Sequence, residues 1–77
     1  MNRYSRSYAP PITVAQIGLI ESLMRKSREI APADWPRITN DQFATALANL
    51  RRLTKGEASE RIDALQAQIA EFERSGR

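Results

Sequence analysis

Three times in this 77-residue chain a threonine follows a branched aliphatic residue and precedes a Gln or Glu by three positions. The runs are Ile12-Thr13-Val14-Ala15-Gln16, Ile38-Thr39-Asn40-Asp41-Gln42 and Leu53-Thr54-Lys55-Gly56-Glu57. In each, the threonine hydroxyl can accept from the N3 backbone N–H while the N3 side chain reaches back to the N-cap N–H. This capping box satisfies two donors that an α-helix start leaves unpaired. Three such starts predict three helices, near 14–30, 40–52 and 55–73.

The apolar pattern agrees with the starts. Ile17, Ile20, Leu23, Met24 and Ile30 share one face of the first segment. Phe43, Ala46, Leu47 and Leu50 share one face of the second, and Ala58, Ile62, Leu65, Ile69 and Phe72 recur every three or four residues in the third. These are stripes of period 3.6, with charge on the opposite faces. Pro32 ends the first helix, and Gly18 inside it reads as a place where another helix comes close. Leu53 and Thr54 follow the second helix so closely that helices two and three must meet at a sharp corner. The predicted fold class is all-α, a small three-helix domain with a disordered N-terminal arm. Its parts are a flexible arm at 1–11, a helical domain at 12–73 and a frayed tail at 74–77. The expected core is Ile17, Ile20, Leu23, Met24, Phe43, Leu47, Leu50, Ile62 and Leu65.

Composition removes function classes. The chain has no Cys and no His, so thiolate chemistry, the commonest general base and the commonest metal ligand are all missing. Glu60 and Asp63 stand three apart on the third helix, but nothing encloses them, and the bland reading is a solvated charged face. Three glycines scattered at 18, 56 and 76 cannot form a phosphate-cradling loop. The expectation is therefore a protein that is not an enzyme and uses no cofactor or metal. No 18-residue apolar run marks a membrane span and no signal segment opens the chain, so the expected compartment is the cytoplasm.

Charge and spare apolar residues remain. Residues 1–52 hold eight Lys/Arg against four acids, a net +4, whereas residues 53–77 hold four against five, a net −1. The first two thirds thus favour an anionic partner. Arg25, Lys26 and Arg28 near the end of helix one, Arg51 and Arg52 at the end of helix two, and Arg3 and Arg6 on the arm form a phosphate-contacting patch if those ends lie together. Tyr4 and Tyr8 alternate with the arm's arginines and suit stacking on bases, against the plainer reading of an unstructured terminus. Arg51 and Arg52 also read simply as charges that complement a helix C-terminus. Helix three is acidic and no helix offers a base-reading face, so direct nucleic-acid contact is expected to be weak and confined to the backbone. Leu19, Trp35 and Phe72 are the apolar residues with no obvious place in the core. Trp35 reads either as a lid on the core or as an exposed anchor. Together with Ile69, Phe72 also offers a homodimer seam.

Two marks, the Thr13-x-x-Gln16 head on an apolar helix and Leu53-Thr54-Lys55-x-Glu57-Ala58-Ser59-x-x-Ile62-Asp63-x-Leu65, resemble a small helical module of bacterial and phage proteins. The resemblance covers roughly residues 12–66; the family joins its two helices by a shorter segment, where residues 31–52 of this chain insert Trp35 and a whole capped helix. In that family the module stands alone or is appended to DNA-processing and recombination proteins of phages and mobile elements. The resemblance thus implies an accessory protein that associates with a larger protein or nucleoprotein complex, here through the basic face. The competing expectation is a protein-binding inhibitor of a host or defence nucleoprotein complex, or a homodimeric helical adaptor that does not touch nucleic acid.

Overall fold

The computed structural model describes residues 9–75, so the expectations placed on Arg3, Tyr4, Arg6 and Tyr8, and on the last two residues of the tail, lie outside the described residues. It is all-α: α1 (Val14–Ile30), α2 (Asn40–Asn49), a 3-10 turn (Leu50–Arg52) and α3 (Lys55–Ser75). All three capping boxes form. The Gln16, Gln42 and Glu57 N–H groups each donate to their threonine hydroxyl at 3.1 Å. The Thr13, Thr39 and Thr54 N–H groups donate back to the Gln or Glu side chains at 3.1, 2.9 and 2.9 Å.

α1 and α3 lie side by side and parallel, which the cross-links along them make plain. At their starts, Gln16 Nε2 donates to the Lys55 carbonyl at 3.1 Å. Farther along, Ser27 Oγ donates to Gln68 Oε1 at 2.6 Å, and Lys26 Nζ stands 3.6 Å from Glu73 Oε2. α2 is the return stroke. It begins beside the end of α1, where Arg28 Nη1 donates to Asn40 Oδ1 at 3.3 Å. It ends beside the starts of α1 and α3, where Leu50 packs with Ile20 and Ala58. The expected sharp corner is the 3-10 turn followed by Leu53 in extended conformation.

Three corrections concern the ends and the helix faces. The first is that Pro10 and Pro11 do not belong to a free arm. The Pro10 carbonyl accepts from Lys55 N–H at 2.8 Å and Ile12 N–H donates to the Leu53 carbonyl at 3.0 Å. Lys55 is the first residue of α3, and its N–H is one of the orphans that the capping box leaves unpaired, so an extended Pro-Pro carbonyl is a natural acceptor for it. The second is that no helix approaches Gly18, because a Cβ built there meets nothing within 4 Å. Arg51 and Arg52 belong to the 3-10 turn beyond α2 rather than to the helix itself.

The core is densest at the end where the helix starts meet. Ile20, Leu50 and Ala58 are sealed, and Ile12, Ile17, Met24, Leu47, Leu53, Ile62 and Leu65 pack against them. Phe43, Ile69 and Phe72 are buried toward the other end. Leu23 is only half-buried. Phe72 was expected to be free for a partner, but it is 5% exposed. The reason is Trp35, whose ring meets that of Phe72 edge-on at 4.9 Å and 74°. The connector between α1 and α2 folds back over the end of α3 and covers it.

Candidate docking groove

The same connector opens a groove on its other side. Pro32 stops α1, and Ala31 turns extended at its C-cap. The Trp35 N–H then donates to the Pro32 carbonyl at 2.9 Å, closing a turn. This loop stands off from α1 and α3 and leaves between them a cavity of about 280 Å³. Met24 and Ala31 from the α1 side, Trp35 and Ile38 from the connector and Leu65 from α3 give it apolar walls. Ser27 and Gln68, bonded to each other, cross it between the helices. Arg28, Arg37 and Arg61 stand at its edge, and no carboxylate lines it. A neighbouring notch formed by Arg25, Arg28, Glu29 and Arg37 continues the basic rim.

Trp35 plays both of the parts weighed for it. Its ring covers Phe72, and 45% of the residue still faces solvent in the groove wall. Leu19 is exposed on α1 at 43%, but it does not line the groove.

The basic residues do not form one patch. Leu53, directly after Arg51 and Arg52, is bonded to Ile12 at the start of α1. Arg25, Lys26 and Arg28 lie in the last turns of that helix, about 20 Å farther along its axis at 1.5 Å per residue. Because α2 reverses the chain, the arginines of the 3-10 turn after it end up at the opposite pole from those of α1.

The α1 cluster is also partly engaged within the molecule. Arg25 pairs with Glu21 at 2.6 Å, and Lys26 with Glu73. The Arg25 and Arg28 guanidinium carbons lie 5.6 and 4.6 Å from the Phe43 ring centroid. These two arginines therefore roof a buried aromatic as well as present charge, each contact contributing about 0.5–1 kcal/mol at an exposed site. Arg37 and Arg61 differ, since neither has an ion pair or side-chain hydrogen bond among the described residues. They were not singled out in the sequence. Arg37 sits two residues after the lone tryptophan, which is a faint signal, and Arg61 is the one basic residue among Glu57, Glu60 and Asp63 on α3.

The acids of α3 stay on the surface, with Glu57, Glu60 and Asp63 all exposed. Among the described residues no three His, Cys, Asp or Glu side chains converge to hold a metal ion, and no helix is long and apolar enough to cross a membrane. In comparisons with known proteins, no family model, no curated protein and no solved structure matches the chain.

Proposed function

We propose that this chain is a non-catalytic binding protein that docks a segment of a larger protein in the groove between α1, the connector and α3. The observation that carries this reading is Trp35, a large aromatic left 45% exposed in the wall of a mostly apolar, arginine-edged cavity. Tryptophan and arginine are the residues most enriched among energetic hot spots of protein interfaces. A monomer gains nothing in stability from leaving that surface wet.

The larger protein belongs to a nucleic-acid-processing machine, as the resemblance to phage and mobile-element modules implies, and the chain acts on it as an accessory factor or an inhibitor. Association is through protein contact. A phosphate-binding face spanning Arg25, Lys26, Arg28, Arg51 and Arg52 has no geometric support, because the two sets stand at opposite poles.

Affinity purification from the native host tests the reading, with the intact chain beside Ala31→Phe, which fills the groove from its α1 wall. A companion protein should survive nuclease treatment and moderate salt, yet be lost with Ala31→Phe. A companion that leaves on nuclease treatment and ignores Ala31→Phe would overturn protein docking at the groove, since phosphate contacts weaken steeply with salt and apolar docking does not.

A further inference from the structure

We infer that the occupant of the groove is an acidic segment of the partner protein: one or two large apolar side chains flanked by Asp or Glu. The inference rests on the docking reading above and deepens it.

Charge complementarity carries the argument. Every charge that lines the cavity itself is a guanidinium; the one carboxylate beside it, Glu29, lies in the adjoining notch with Arg25, Arg28 and Arg37. Arg37 and Arg61 approach from opposite walls, connector and α3, with no ion-pair partner among the described residues, while Arg28 at the third side stacks on Phe43 and donates to Asn40 at 3.3 Å but has no carboxylate partner among them. The polar pair between the helices points the same way. Ser27 Oγ–H is spent on Gln68 Oε1, which leaves the Gln68 amide N–H groups as the unspent donors of that pair. The cavity lining thus presents cations and amide donors and no carboxylate, and three arginines outweigh the single Glu29 in the adjoining notch. An acceptor-rich, negatively charged ligand satisfies it, and guanidinium forks match carboxylates in both charge and shape.

Size and wall chemistry select a peptide. About 280 Å³ falls just below the range of roughly 300–1,000 Å³ usual for small-molecule sites, so it holds a side chain or two inserted from a backbone that runs outside. Single-stranded nucleic acid would need successive bases stacked on several aromatic rings. This groove offers one, Trp35, among aliphatic walls. A second copy of the chain is a poor fit, because the acidic exposed face of α3, with Glu57, Glu60, Asp63 and Ala64, carries no large apolar side chain to insert.

Selection of short random peptides displayed against the immobilised intact chain tests the inference. Ala31→Phe serves as the counter-target and the double variant Arg37→Glu with Arg61→Glu as a parallel target, both first shown to be helical by circular dichroism. Retained peptides should carry Asp or Glu beside Leu, Phe or Trp. Their affinity should fall at least tenfold on the double variant and recover when their acids are changed to lysine. Neutral or basic peptides, or acidic ones indifferent to the charge reversal, would overturn the inference and leave groove docking standing. If no peptide prefers the intact chain to Ala31→Phe, docking at the groove fails as well. Displacement of retained peptides by a single-stranded oligonucleotide, or a dimer in sedimentation that Ala31→Phe dissolves, would assign the groove to nucleic acid or to a second copy and also overturn the inference.

Discussion

The two poles of this molecule are built from different materials. At one, the starts of α1 and α3 and the turn after α2 meet over Ile20, Leu50 and Ala58, with the extended Pro10–Ile12 segment tied by backbone hydrogen bonds to Leu53 and Lys55. Aliphatic side chains close that pole completely. At the other, aromatic rings are covered by exposed groups: Phe43 by two arginines, Phe72 by a tryptophan that is itself half in solvent. The first pole can give the fold its stability because nothing there has to open. The second keeps surface in reserve, which is what a docking site requires and what a small domain can tolerate only where its core is already secured elsewhere.

That contrast sets an order of effects. Leu50→Ala should be the most damaging change, about 4 kcal/mol within the 2–5 typical of a sealed Leu, read as a shift of the urea midpoint. Against a total margin of roughly 5–15 kcal/mol, this leaves the fold barely stable. Phe72→Ala should cost about 3 kcal/mol, at the low end for a buried Phe because the open pole can relax around it. An unchanged midpoint there would return Phe72 to the surface. Trp35→Ala should cost only about 1–2 kcal/mol, the edge-on contact plus part of the ring's burial, while abolishing groove binding. A loss as large as that of Leu50→Ala would make Trp35 a core residue and erase the difference between the poles. Thr54→Ala removes one cap at the closed pole and should cost about 1 kcal/mol in thermal unfolding. The smallest effect has the opposite sign. Gly18→Ala should stabilise by about 0.4–1 kcal/mol, since a Cβ there meets nothing and the unfolded chain loses freedom.

How much of this was legible in the sequence divides along the same line. Capping boxes are local, so Thr13, Thr39 and Thr54 announce the helix starts, and observed α1, α2 and α3 begin at the residues that follow them. The apolar stripes likewise give most of the closed core. What depends on chain reversal is not local. The net +4 of residues 1–52 says nothing about which arginines share a pole. Only the return stroke of α2 separates Arg51 and Arg52 from Arg25, Lys26 and Arg28. Phe72 continues the α3 stripe plainly enough, but its burial depends on Trp35 reaching it from a connector distant in sequence. Arg37 and Arg61 become neighbours of one groove for the same reason, through packing of elements that no short window contains.

Trp35 is the chain's sole tryptophan, so its emission reports on the groove wall alone. The most direct test is to titrate the intact chain with a peptide retained in the selection that itself lacks tryptophan, and to follow that emission. A saturable shift to shorter wavelength is expected as the half-exposed ring is covered, with affinity weakened at least tenfold in Arg37→Glu with Arg61→Glu. Binding detected by calorimetry while the Trp35 emission stays where it was would contradict it, because the occupied surface would then lie away from the groove.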